Sequence, residues 1–141
     1  TVKDSEDKII TSGAALGTYD NIAHSPDVIS LLLIQNGANL TDLAGSSRQA
    51  AYDGLDFYTS FAKGEGSVWD DSLENSKLAF AKGTIAMYIG YSWDIFEIRA
   101  LAPNLSFATL PVPHLPQDPK FLVQGRTGET FDPIPPIYKP I

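Results

Sequence analysis

Proline is distributed so unevenly along this chain that it divides the sequence before any other feature is considered. Residues 1–102 contain one proline, Pro26, whereas Pro103, Pro111, Pro113, Pro116, Pro119, Pro133, Pro135, Pro136 and Pro140 crowd the remainder. Each proline removes a backbone donor and restricts the residue before it, so such density excludes regular helix and central strand. The sequence therefore reads as a body over residues 1–116 and an extended, Pro-rich tail over 117–141.

The body carries periodic signals. Ile9 to Leu16 reads as a short strand running into the turn-forming loop Gly17-Thr18-Tyr19-Asp20-Asn21. Ser25-Pro26 opens a first helix with Ser25 as its cap, Val28–Ile34 is apolar on nearly all sides, and Gly37 supplies the stop. A second helix is expected from about Arg48 to Ala62, with Ala51, Leu55, Tyr58 and Ala62 on one face. A third is expected over Ser72–Lys82, entered by a capping box of Asp71 and Glu74. Thr84–Ile89 alternates like a buried strand, Ser92 caps a short fourth helix, and Leu105–Leu110 reads as another strand. Strands separated by helices imply an α/β fold with at least partly parallel strands, mostly helices around a small sheet.

Composition removes several classes of function. Ten Lys+Arg against seventeen Asp+Glu leave a net charge of −7, which disfavours nucleic acid and anionic membrane surfaces. No apolar run is long enough to span a bilayer. The absence of cysteine excludes disulfides, thiol nucleophiles and Cys-ligated metal. Phosphate cradles, dinucleotide fingerprints, zinc-protease motifs and nucleophile elbows are missing, so no cofactor is expected. His24 and His114 lie far apart, and two ligands are fewer than a zinc site needs. Asp70-Asp71 reads as a cap rather than as a glycosidase acid.

Two stretches remain as candidate sites. Gly90-Tyr91-Ser92-Trp93-Asp94 follows an expected strand and opens a helix, which is where open α/β sheets bind ligands. Its aromatic faces suit a sugar ring, whose C–H side is apolar and whose rim is hydroxyl. The pattern leaves open whether Trp93 meets a ligand or anchors its helix in the core. The polar loop from Thr18 to His24 contains Asn, Asp and His, which hydrogen-bond hydroxyls, although the same residues make ordinary turns. Trp69 is expected to pack the entry of the third helix.

Phe80-Ala81-Lys82-Gly83-Thr84-Ile85-Ala86-Met87 with Gly90-Tyr91-Ser92-Trp93 resembles the F-x-x-G-x-x-A-M…G-x-W signature of the extracellular solute-binding proteins of ABC transporters. The branch it is most similar to is family 1, the maltose-binding-like, carbohydrate-type group. Gly13-Ala14-Ala15-Leu16-Gly17 with Asn21-Ile22, Gln35-Asn36-Gly37, Leu55-Asp56-Phe57-Tyr58, Pro103-Asn104-Leu105 and Leu110-Pro111-Val112-Pro113 agree in order. The resemblance covers about Ile9 to Pro116. It implies part of the second lobe of a two-lobe periplasmic-binding-protein-like fold, in which ligand is trapped between lobes. It further implies an extracytoplasmic, non-enzymatic protein that captures a sugar or similar polar solute. The implied partners are the membrane subunits of an ABC importer, with any signal or lipid anchor outside this sequence. By the same resemblance Trp93 takes the place of the stacking aromatic, with Tyr91 and Ser92 beside it, and Asn21 and His24 occupy a ligand-contacting loop. The rival readings are a glycoside-acting enzyme fragment and a non-binding structural remnant.

Overall fold

The computed structural model describes residues 1–112. The expected Pro-rich tail, Pro113 and His114 lie outside the described residues. Ile9–Ala14 forms the central strand of a three-stranded sheet, here β2. It pairs antiparallel with β1, Val2–Lys3, and parallel with β3, Ile85–Met87, in the register Ser12 with Ile85 and Ala14 with Met87. Four helices lie between and after these strands: α1 Ser25–Gln35, α2 Arg48–Ser60, α3 Ser76–Lys82 and α4 Asp94–Leu101. The chain is thus α/β, with most of its regular structure helical around a small sheet, in keeping with part of a solute-binding lobe.

The core is built where the sheet meets α1, α2 and α3. Ala15, Ile22, Val28, Tyr58, Trp69, Ala79 and Ile85 form one buried cluster, and Leu33, Ala38 and Ala51 a second one between α1 and α2. Ala51 and Tyr58 sit on the expected inner face of α2, while Leu55 on that same face stays exposed. Gly17 has φ +107°, and a Cβ there would come within 2.6 Å of the Ala62 amide nitrogen, so the loop after β2 closes against the end of α2 only through glycine.

Several sequence expectations are corrected, each for a local reason. The third helix begins at Ser76, not Ser72, with Asn75 as its cap accepting from the Lys77 amide at 3.0 Å. The carbonyls of Asp70 and Leu73 accept instead from Asn21 Nδ2, at 2.8 and 3.0 Å, which spends residues 70–73 on a turn. The Asp70 carboxylate caps that turn by accepting from the Ser72 amide. Asp71 and Glu74 therefore make no capping box. Ser25 does not cap α1: His24 holds the cap position, and Ser25 Oγ donates to the Tyr19 carbonyl. Ser92 does not cap α4, where Trp93 holds that position without a side-chain bond. The helix α1 is buried through Val28 and Leu33, whereas Ile34 faces outward. The strand expected over Thr84–Ile89 shortens to three residues, with Ile85 buried and Met87 exposed, because beyond Met87 the chain leaves its pairing with β2. Leu105–Leu110 forms no strand among the described residues; Phe107 instead packs edge-on against Phe80, 5.6 Å between ring centres. The strand β1 lies in the polar opening of the chain, where two residues leave no periodic trace.

Candidate functional site

The parallel pairing of β2 and β3 explains why two distant loops meet. Each strand leads from its carboxyl end into a helix, β2 through residues 15–24 into α1 and β3 through residues 88–93 into α4. Adjacent parallel strands deliver such loops to the same edge of the sheet. His24 and Tyr91 come together there, ring centres 4.7 Å apart and edge to face. Trp93 lies nearly parallel over Tyr91, 4.2 Å between centres at 14°. Stacked aromatic pairs add about 0.5–1.5 kcal/mol beyond the area they bury. Trp93 nevertheless remains 57% exposed, so its packing on Tyr91 leaves much of the indole open to solvent.

A buried carboxylate holds this cluster from beneath. Asp94 is only 1% exposed, and its Oδ2 accepts from His24 Nε2 at 2.9 Å, the Tyr88 hydroxyl at 2.8 Å and the Tyr91 amide at 3.1 Å. Lys77 meets Oδ1 at 3.0 Å as an ion pair rather than as an aligned hydrogen bond, and also binds Glu97 at 2.6 Å. Burial opposes the charge on Asp94, but the Tyr88 hydroxyl, the Lys77 ammonium and the Tyr91 amide outweigh it and bring the carboxyl to about 2. Burial, together with the same carboxylate, pushes the Tyr88 hydroxyl upward. Gly90 is required at this point, since a Cβ would collide with the Asp94 carboxylate and the Tyr88 ring. The Asp27 carboxylate beside the Tyr91 hydroxyl raises the pKa of that phenol.

His24 stands in the left-handed region, φ 59° and ψ 26°, which costs a non-glycine residue about 1–2 kcal/mol. Its surroundings hold it there. The ring bonds Asp94, while the carbonyl accepts from the amides of Asp27 and Val28, each at 3.0 Å, and starts α1. Strain retained in this way marks a position fixed from several sides.

Of the residues expected from sequence, His24, Tyr91, Ser92 and Trp93 lie at this one edge, with Ser92 exposed between the two aromatics. Asn21 faces inward. Its Oδ1 accepts from Trp69 Nε1 at 3.1 Å and from the Thr18 hydroxyl, and its Nδ2 donates to the carbonyls of Asp70 and Leu73. Its side chain thus fastens the loop to the core. Thr18, Tyr19 and Asp20 line an open groove of about 370 Å³ together with Thr59, Lys63, Asp70 and Asp71, to which the aromatic stack does not contribute. A smaller cleft of about 160 Å³ beside Ser12, Trp69 and Ile85 is likewise separate from the stack. Sequence reasoning included Asp94 in a candidate stretch without giving it a role, and missed Lys77, Tyr88 and Asp27. Asp94 follows Trp93 directly, and an acidic residue in the first turn of a helix was the available signal; Lys77 and Asp27 reach the cluster only through tertiary packing.

Among the described residues, no helix is long and apolar enough to cross a membrane. Comparisons with curated proteins and with solved structures give no match. The sequence profile of the family described as bacterial extracellular solute-binding protein matches residues 8–128, which takes in both loops of the aromatic edge and ends inside the segment read as tail. A match over that much of the chain, on a fold whose parallel strands bring two loops to one exposed aromatic edge, shows that the chain belongs to the family of bacterial extracellular solute-binding proteins, whose members bind a small-molecule ligand.

Proposed function

We propose that this chain captures a sugar or a similar polar solute for an ABC importer, as part of one lobe of a two-lobe binding protein, and that it breaks no bond. The observation that carries this reading is the Tyr91–Trp93 stack, held by buried Asp94 and left 57% exposed at Trp93. An exposed indole beside the Tyr91 and Ser92 hydroxyls matches the two-sided surface of a sugar ring. Trp93 stacks on the ring, Tyr91 and His24 set its position, and Ser92 offers a hydroxyl at the border. Asn21 acts at one remove, by holding the loop that ends in His24. Capture proceeds by closure of a second lobe over this face, and the importer's membrane subunits receive the loaded protein.

A thermal-shift screen against sugars and polyols tests this directly. A true ligand at 100 times its dissociation constant adds about 2.7 kcal/mol of apparent stability. The reading fails if no polyhydroxylated solute shifts the melting of the chain, or if a shift survives removal of the Trp93 ring.

A further inference from the structure

The end of α1 carries the pair Asn36-Gly37 on an exposed turn. Asparagine followed by glycine is the arrangement most open to intramolecular deamidation, because glycine has no side chain to hinder attack by its own amide nitrogen. Gly37 N, once base has taken its proton, bonds to Asn36 Cγ, and the Cγ–Nδ2 bond breaks as ammonia leaves. Water then opens the imide at either carbonyl. The product is aspartate or, with the main chain rerouted through Cβ and Cγ, isoaspartate. Water is gained and ammonia lost, and nothing is oxidised or reduced.

The fold engages both reacting groups. Gly37 N donates to the Ile34 carbonyl and Ala38 N to the Leu33 carbonyl, each at 2.9 Å, the paired bonds that close a helix on a left-handed residue, here Gly37 at φ +88°. Asn36 Nδ2 donates across to the Ala50 carbonyl of α2 at 2.8 Å. Asn36 stands at φ −82° and ψ 4°, and closing a five-membered imide turns ψ far from that value. Nucleophile and leaving group are therefore each bonded elsewhere, in a backbone geometry from which the ring does not close. This bridge exists because α1 and α2 approach closely at Gly54, where a Cβ would lie 2.9 Å from Leu33 Cδ2 and 3.8 Å from Asn36 Cβ.

Both products undo the bridge. Each loses the Nδ2 donor and gains a carboxylate, so that an acceptor faces the Ala50 carbonyl, itself an acceptor. The new charge also stands at the negative end of α1. Isoaspartate further lengthens the main chain between Leu33 and Ala38, both buried in the cluster that joins α1 to α2.

We infer that Asn36 is a modification site of this lobe: a deamidation site kept latent by its bond to α2, whose conversion releases the end of α1 from α2. The inference is independent of which solute the lobe binds.

Peptide-mapping mass spectrometry of the 141-residue chain, aged in warm, mildly alkaline buffer with and without denaturing urea, tests this. In urea Asn36 should convert before Asn21, Asn39, Asn75 and Asn104, whose following residues are all larger than glycine. In the folded chain Asn36 should convert at least about tenfold more slowly than in urea, because opening breaks two hydrogen bonds. Equal rates in the two conditions, or no conversion at Asn36 in urea, overturn the latent site. Gly54→Ala, which crowds Leu33, should speed conversion in the folded chain several-fold and leave the rate in urea unchanged, with circular dichroism verifying that the variant is folded. A folded variant that ages at the wild-type rate overturns the role of α2, and the wild-type comparison stands whether or not the variant folds. Asn36→Asp, which reproduces one product, should lower the melting temperature by about 3–6 °C. An unchanged melting temperature overturns the release of α1.

Discussion

Trp69 and Trp93 are positioned from neighbouring loops in opposite ways. Trp69 is 0% exposed, and its ring N–H is taken up by Asn21, a neutral side chain whose polar atoms all serve the interior. Trp93 is kept at the surface by a stack on Tyr91, which in turn rests on a buried charge shared by His24, Tyr88 and Lys77. A neutral, fully bonded node closes the core. A charged node that unites the start of α1, the cap region of α3 and the start of α4 fixes an exposed surface without covering it. The core node makes the lobe stable, and the charged node gives it a face.

The comparison breaks most visibly at the core. Trp69→Ala should cost about 3–5 kcal/mol of folding stability, because it leaves a large cavity and takes one of the two donors from the Asn21 carbonyl oxygen. Chemical denaturation checks this, and a loss under about 1 kcal/mol would mean that Trp69 does not close the core. Removing the charged node comes next: Asp94→Ala leaves Lys77 partly buried beside Glu97 alone and takes the partner from His24, so about 3 kcal/mol should be lost. Unlike Trp69→Ala, this change should also loosen the Tyr91–Trp93 stack, read as a red shift in the emission of Trp93.

Acid sharpens the contrast. The Asp94 carboxyl lies at about 2 in the folded protein against an ordinary 3.8, so its charged form is favoured by folding. The contribution, about 2 kcal/mol, is fully present above pH ~4 and is lost as pH falls through the folded value near 2. Stability measured from pH 5 to pH 2 should fall in the wild type and fall less in Asp94→Asn. Identical profiles would show that Asp94 is not the group responsible.

The sequence made the core half of this contrast more legible than the site half. Local sequence pattern located β2, α1, α2 and α4, through cap and turn residues at β2, α1 and α4 and through the apolar repeat of α2, a direct imprint of burial. It misplaced the start of α3, because Asn21, some fifty residues away, claims the carbonyls of Asp70 and Leu73, and no local pattern announces a long-range acceptor. It also expected a strand at Leu105–Leu110, where no neighbouring strand takes the segment up among the described residues. At the site, the aromatic pair and His24 were visible as residue types, whereas Asp94 and Lys77 acquire their role only when α3 and α4 pack together. Asn21 looked like a ligand contact for the same reason that it makes a good internal clasp: one amide carries both donors and an acceptor.

The central claim is that Trp93 belongs to a ligand face carried on a scaffold that is stable without it. Trp93→Ala, measured for both melting and saccharide affinity in the same preparation, tests this most directly. The account predicts a stability loss of about 0.5–1.5 kcal/mol, the size of the stack on Tyr91, and a loss of about 1–3 kcal/mol in binding. A variant that loses about 3–5 kcal/mol of stability, yet binds as the wild type does when folded, would place Trp93 in the core and remove it from the site.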